Sequence, residues 1–219
     1  MEILEIMKQR HSVRQYNDEP IEEEKKIILS KLIEEINMDD ELHIQVFYDE
    51  PKCFDSFMAY YGKFSGVNNY IALVGKKTKN ADVKMGYYGE KLVLKAQELG
   101  LNTCWGALTH GKSSAIINKG GKLFCLISLG YGKTMGVSHK SKTLEDLSNY
   151  TSNMPDWFKE GVLAAMLAPT AMNQQKFYFE LLPTCEVKLK RKKGFYSKID
   201  LGIVKYHFEE IAGKKCIID

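Results

Sequence analysis

The sequence predicts an α+β fold, and three observations carry that prediction. Helical and strand-type apolar periodicities interleave along the chain, but the strands are few and form no regular βαβ succession with phosphate-binding turns; no Gly-x-Gly-x-x-Gly occurs. The order of elements before a Gly-, Ser-, Thr- and Lys-rich connector is echoed after it. The 219 residues, 44% hydrophobic and 27% charged, can bury a full core in one domain or two small ones, which excludes disorder, collagen and coiled coil.

Each element has its own signal. Glu2 to Gln9 places Ile3, Leu4, Ile6 and Met7 on overlapping helical faces and predicts a short helix that stops at the polar turn Arg10-His11-Ser12-Val13-Arg14. Asn17 or Asp18 is then expected to cap a second helix, with Pro20 near its start and Glu22, Glu23 and Glu24 in its first turn, where carboxylates suit the positive end of the dipole. Ile28, Leu29, Leu32, Ile33 and Ile36 give that helix a buried face. His43 to Tyr48 and Asn69 to Val74 read as strands separated by a polar, aromatic stretch around Tyr60-Tyr61-Gly62-Lys63. The most apolar helix follows, from Gly86 to Leu99, with Gly100 as a left-handed cap. Leu123 to Tyr131 reads as a buried strand.

Gly132 to Asn153 is the connector, with one modest helical stretch near Leu144 to Leu147. A boundary placed there divides the chain into an N-terminal half, residues 1–150, and a C-terminal half, residues 151–219. The second half is expected to hold a helix from Pro155 to Leu167, a turn at Pro169, strands at Phe177 to Leu182 and near Glu186 to Leu189, and a helix from Leu201 to Ala212. Gly89 to Gly100 and Gly202 to Gly213 each span eleven steps, and Ile28 to Leu42 and Val162 to Lys176 each span fourteen. Equal spacing at two places is what an internally repeated helix-strand-helix unit would leave.

Composition also narrows the function. A net charge of +3, from 31 Lys+Arg against 28 Asp+Glu, is far from the basic excess of a nucleic-acid binder, so any bound anion must meet a local cluster. The longest apolar stretches are far short of a membrane helix, and Glu2 and Glu5 interrupt the N-terminal pattern, so no membrane span or export signal is expected. Five scattered cysteines without Cys-x-x-Cys, and histidines without His-x-x-x-His, predict reduced thiols in a cytoplasm and no metal centre. The run Lys188 to Lys193 is expected to be a hairpin tip kept soluble by lysines.

Four constellations bear on chemistry. Arg10-His11-Ser12-Val13-Arg14 gathers two guanidiniums and a hydroxyl within five residues, enough to surround a phosphate, although a solvated turn has the same spacing. Ala168-Pro169-Thr170-Ala171-Met172-Asn173-Gln174-Gln175 offers small residues for close backbone approach and the amides of Asn173 and Gln175 for the edge of a heteroaromatic ring; an ordinary helix-to-strand loop has that composition too. Gly100 to Leu108 brings bare backbone at Gly106 beside Trp105, with Cys104 read as a small buried hydrophobe. Gly106 to Ser113 matches the phosphate-loop pattern Gly-x-x-x-x-Gly-Lys-Ser, but only Asn102 to Trp105 separates it from the preceding helix and no aspartate closes the next apolar run.

Together these pieces resemble the nitroreductase family of flavin enzymes across nearly the whole chain. Arg10-His11-Ser12-x-Arg14 with Tyr16 looks like that family's FMN phosphate signature, Ala168-Pro169-Thr170-Ala171-x-Asn173-x-Gln175 like its flavin-ring loop, and Gly89 to Leu101 like its central helix. Ser128-Leu129-Gly130-Tyr131 resembles its Leu-Gly-Tyr strand end, with Lys140-Ser141-Lys142 where a basic pair reaches the phosphate. The ring loop, early in usual members, lies here in the second half, which resembles the branch in which two related halves are fused into a pseudo-dimer around one FMN. Lys176-Phe177 replaces the frequent Pro-Trp, and Lys142 a common arginine.

The resemblance implies a nitroreductase-like α+β fold with antiparallel-containing central sheets, a monomeric pseudo-dimer or weak homo-oligomer, and FMN as cofactor. Arg10, His11, Ser12, Arg14, Lys140 and Lys142 would serve the phosphate. Pro169, Thr170, Ala171, Asn173 and Gln175 would meet the ring and ribityl chain, and Gly106, Ala107 and Leu108 would line N5. NAD(P)H and a small aromatic acceptor, a nitro compound or quinone, would be the partners in ping-pong turnover, with no side chain acting as catalyst because the chemistry lies on flavin N5. Two alternatives stand beside it: a non-catalytic flavin sensor or store whose altered wall around Phe177 excludes reductant, and a phosphate-loop nucleotide binder using Gly106 to Ser113.

Overall fold

A computed structural model describes residues 1–39 and 41–219. Its α-helices are α1 (Ile3–Gln9), α2 (Glu23–Ile36), α3 (Phe57–Tyr61), α4 (Ala81–Glu98), α5 (Leu144–Leu147), α6 (Asp156–Ala165) and α7 (Ser197–Ala212). The strands are β1 (Gln45–Phe47), β2 (Asn69–Lys76), β3 (Asn102–Gly106), β4 (Gly121–Gly130), β5 (Phe177–Leu181), β6 (Val187–Arg191) and β7 (Cys216–Ile218). They fall into two compact units: Arg10–Ala81 with Lys91–Val137, and Met1–Gln9 with Asp82–Glu90 and Ser138–Asp219.

The first unit is built on an antiparallel sheet in the order β1-β2-β4-β3. β2 is buried from Asn69 through Gly75, as its unbroken apolar run requires of a strand covered on both faces. Around the sheet, Phe54 packs against Phe64 and Tyr70 at ring distances of 5.0 and 5.9 Å, and Tyr70 stacks on Phe47 at 4.9 Å. α2 starts at Glu23 with Glu22 as its cap residue, several residues later than an Asn17 or Asp18 cap would place it. The cause is tertiary: Tyr16 N–H donates to Ser65 O and Asn17 N–H to Tyr131 O, which hold this stretch extended.

The second unit has a three-stranded sheet, β5-β6-β7, with β5/β6 antiparallel and β6/β7 parallel. α7 is its core helix; Phe208 stacks on Phe179 at 4.6 Å and meets Phe158 edge-on at 6.2 Å. α7 meets the α4 segment of this unit at two glycines, Gly86 and Gly202, whose Cα atoms approach so closely that an added Cβ on either would lie 2.0 Å from a backbone carbonyl oxygen. Beside that crossing His207, fully buried, bonds Glu90 Oε1 through Nε2 at 2.9 Å and donates from Nδ1 to Ala164 O at 3.0 Å.

With α3 left aside, which has no counterpart between β5 and β6, the order α2-β1-β2-α4-β3 parallels α6-β5-β6-α7-β7, and Gly100 and Gly213 follow α4 and α7 in the left-handed region at φ 79° and 62°. The sheets do not match: β3 pairs antiparallel with β4, whereas β7 pairs parallel with β6. The lysine run also differs from expectation. Lys188 and Lys190 lie within β6, Lys190 paired with Glu180 at 2.8 Å, while the turn between β5 and β6 is formed by residues 182–186. Among the described residues no helix is long and apolar enough to cross a membrane.

Candidate functional site

In the first unit, the segment after α1 runs beside β3. Ser12 bridges Thr103 in parallel, and Val13 N–H donates to Thr103 O at 3.0 Å. This extended course buries Arg10, Val13 and Tyr16 and leaves Arg14 exposed. Tyr16 locks it from below, its hydroxyl donating to Val13 O at 2.6 Å and meeting Ser128 Oγ at 2.7 Å. The structure thus brings Arg10, His11, Ser12 and Arg14 together at the start of β3. Burial, and then the Arg10 charge, push the His11 pKa down, so the imidazole is neutral above its ordinary titration range.

Cys104, expected from sequence as a small buried hydrophobe, lies within this corner. The Cys104 thiol, on a residue 2% exposed, donates to Trp105 O at 3.6 Å, and it feels the charges of both Arg14 and Arg10. Burial nevertheless dominates and raises its pKa, so the group beside the guanidiniums is a neutral thiol. Among the described residues no carboxylate pairs with Arg14. A cationic corner with an uncompensated guanidinium, a hydroxyl and no adjoining carboxylate on Arg14 suits an anion such as a phosphate monoester.

β3 ends at Gly106, followed by half-buried Ala107 and Leu108, which is 55% exposed. A Cβ at Gly106 would sit 3.6 Å from the Phe54 ring, an ordinary contact, so the chain's own packing does not demand glycine there. The phosphate-loop alternative at Gly106 to Ser113 is overturned. No helix follows it: residues 107–120 lack helical structure, Gly111 N–H donates to Cys53 O at 2.6 Å, and Ser113 Oγ donates to Tyr70 Oη at 3.2 Å. Without a helix N-terminus, the aligned backbone donors of a triphosphate cradle are missing.

The amide loop is in the second unit, and there the structure gathers Lys140, Lys142, Thr170, Asn173 and Gln175. Lys140 O accepts from Asn173 Nδ2 at 2.9 Å and from Gln175 Nε2 at 3.0 Å. Gln175, 3% exposed, also accepts Lys142 N–H on Oε1 at 2.9 Å and donates to Asn173 Oδ1 at 2.9 Å. Lys142 Nζ donates to Gln174 O and Gln175 O at 3.0 and 3.1 Å, so its charge is directed at the loop's own carbonyls. Thr170 Oγ1 accepts Gln175 N–H at 3.1 Å. Met172, Asn173 and Gln175 all have positive φ, 53°, 52° and 48°, a strained shape that these bonds maintain between the half-buried Pro169 and β5.

Asp200 on α7, missed from sequence, anchors the same loop. Its Oδ1 accepts Ala171 N–H at 2.9 Å and its Oδ2 accepts Gln174 Nε2 at 3.0 Å, while burial raises its pKa to about 6. Phe177 is a core residue of β5, 1% exposed and edge-on to Phe179 at 5.8 Å; burial removes it as a substrate-side wall. Among the described residues no group of three or more His, Cys, Asp or Glu side chains could hold a metal ion.

Known proteins share this architecture. A solved structure described as a "putative nitroreductase" of Thermotoga maritima superimposes with TM-score 0.71 at 23% identity, over 96% of this chain and 83% of that one. A Desulfovibrio desulfuricans "putative nitroreductase in complex with FMN" gives TM-score 0.53 at 17% identity, over 71% of this chain and 99% of that one. The Bacteroides thetaiotaomicron protein described as "Putative NADH dehydrogenase/NAD(P)H nitroreductase" gives 0.53 at 17%, over 69% and 98%. At these identities the likeness establishes the fold. Comparison with curated proteins gives no match. A family model described as "Putative TM nitroreductase" matches residues 2–212, nearly the full length. By that match, and with the fold it predicts in place, the chain belongs to this nitroreductase family.

Proposed function

We propose that the chain is an FMN-dependent oxidoreductase that takes reducing equivalents from NAD(P)H and passes them to a nitroaromatic or quinone-like acceptor. Family membership supports the oxidoreductase class, and the FMN complex of the Desulfovibrio protein supports the cofactor. The observation that carries the reading within this chain is the corner of Arg10, Ser12 and Arg14, in which Arg14 has no carboxylate partner among the described residues.

When bound, FMN supplies two-electron hydride chemistry at its ring. Arg10, Ser12 and Arg14 hold its phosphate by charge-assisted hydrogen bonds, and neutral His11 adds a donor without adding charge. Gly106, Ala107 and Leu108 would offer backbone groups to the flavin ring. Pro169, Thr170, Ala171, Asn173 and Gln175, braced by Lys140 and Lys142, present the loop's small side chains and main chain; the Gln175 amide acts as a brace. No side chain is required as general acid, because solvent supplies the protons that complete reduction of a quinone to a hydroquinone.

The visible spectrum of the purified protein tests this directly: flavin bands, released on denaturation as FMN. Arg14→Ala, at an exposed position, is expected to retain the fold and to weaken FMN binding by about 10- to 100-fold, the worth of one or two hydrogen bonds to a charged group. Unchanged FMN affinity in that variant would remove the phosphate assignment. Anaerobic bleaching of the bound chromophore by NADH or NADPH separates turnover from storage.

A further inference from the structure

The helix α3 is inverted relative to an ordinary amphipathic turn. Its smallest side chain, Ala59, is fully buried, while Phe57, Tyr60 and Tyr61 are 80%, 80% and 74% exposed. Burying an aromatic ring stabilises a fold by roughly 1.5–3 kcal/mol, so three rings turned outward from one short helix call for a partner.

The inversion is built in. Ser56 caps the helix, its Oγ accepting Ala59 N–H at 3.2 Å, and Phe64 N–H donates to Ala59 O at 3.0 Å, which fixes the face that carries Ala59. At its far end, a Cβ on Gly62 would lie 2.5 Å from Thr109 Cβ; at its near end, a Cβ on Gly111 would lie 3.0 Å from Ser56 Cβ. Both ends of α3 are therefore clamped to the segment that directly follows Gly106, Ala107 and Leu108, and Leu108 is itself 55% exposed.

We propose that Phe57, Tyr60 and Tyr61 of α3, with Leu108, form the surface that recognises the flat, electron-poor acceptor of the proposed function. The assignment rests on the flavin reading for the place of Gly106 to Leu108, and on this chain's geometry for the rest. The choice of occupant follows from chemistry and size. Electron-rich phenol and phenyl faces attract an electron-deficient ring through their quadrupoles, and Tyr side chains present such faces at low entropic cost. A five-residue helix is only about 7.5 Å long, the span of a bicyclic ring system, whereas a stable protein interface needs about 20–30 residues a side.

The test uses the full-length protein carrying its flavin, with menadione as the flat acceptor and ferricyanide as an acceptor without a ring. For Phe57→Ala, Tyr60→Ala and Tyr61→Ala, the ratio of kcat/KM for menadione to that for ferricyanide is expected to fall about two- to tenfold per ring, and further in the triple variant. Tyr60→Phe, which keeps the ring face, is expected to retain the parental ratio. A triple variant whose ratio stays within twofold of the parent's overturns the proposal, and so does one that keeps its ratio while losing a dimer seen by light scattering in the parent, which would give the face to a second copy. Equilibrium dialysis of menadione against parent and triple variant separates this proposal from the flavin reading. A parent without flavin sinks that reading, while tighter menadione binding by the parent still supports the surface and equal binding overturns it.

Discussion

Replacing Gly202 by alanine tests whether the second unit depends on backbone contact between α7 and the α4 segment. A Cβ at Gly202 would lie 2.0 Å from Val83 O, 2.6 Å from Tyr87 N and 2.8 Å from Gly86 Cα. Real Cβ contacts lie above 3.0 Å, so the two backbones must part by about 1 Å; no side-chain rotation relieves a clash with main chain. The groups spanning that crossing lose contact together: the edge-on Tyr87–Tyr206 pair at 5.0 Å, the bond from Tyr87 Oη to Glu209 Oε2 at 3.1 Å, and the His207–Glu90 bond at 2.9 Å. A gap of that size forfeits about a quarter to a half of each dispersion contact. Overpacking of this kind costs roughly 1–3 kcal/mol and a weakened buried hydrogen bond about 1 kcal/mol more, against a gain of about 0.5–1 kcal/mol from helix propensity. The net loss is about 2 kcal/mol, or roughly 4–8 °C in Tm for a chain of this length. Urea unfolding at constant m is the assay. Gly86→Ala is expected to cost a similar amount, and the double variant less than the sum, since one separation relieves both clashes. A Gly202→Ala protein as stable as the parent, or more stable as propensity alone would have it, refutes the reasoning.

Two further outcomes follow from buried polar groups in the same unit. Glu90→Leu leaves the buried His207 Nε2 without a partner and is expected to cost about 3 kcal/mol, whereas Glu90→Gln, whose amide N–H can donate to Nε2 while Nδ1–H keeps Ala164 O, should cost about 1 kcal/mol or less; equal losses in denaturant titrations would show that the hydrogen bond is not what matters. Asp200 binds its proton more tightly in the folded protein, at about 6 against the ordinary 3.8, so its contribution to stability is complete below pH 4 and is lost as pH rises through about 6. The loss amounts to roughly 3 kcal/mol at 1.4 kcal/mol per unit. Urea midpoints compared between parent and Asp200→Asn from pH 4 to 7 should therefore diverge with pH, and a difference independent of pH would rule out this linkage.

Elements long enough to show a period were legible in the sequence: α1, α6 and α7 from apolar spacing, β2 and β4 from continuous apolar runs, and the left-handed Gly100 that follows α4. Among the short elements β1, α5, β5 and β6 were expected as well, but α3, β3 and β7 were not; β3 exists because β4 and the Ser12–Val13 segment pair with it. The late start of α2 has the same origin, since the bonds that hold Tyr16 and Asn17 extended come from Ser65 and Tyr131.

The candidate site divides along the same line. Sequence by itself determined which chemistry was available: two guanidiniums and a hydroxyl within five residues, and an amide loop after a proline, because those are matters of residue type and local spacing. Only the tertiary structure decided how the groups are used. It placed Cys104 among the guanidiniums, turned Lys142 and Gln175 into braces, brought Asp200 to the loop, and denied Gly106 to Ser113 the helix a phosphate loop needs. Residue type is a local property, whereas the partner of a polar group is chosen by segments that lie far apart along the chain and meet only when the core has formed.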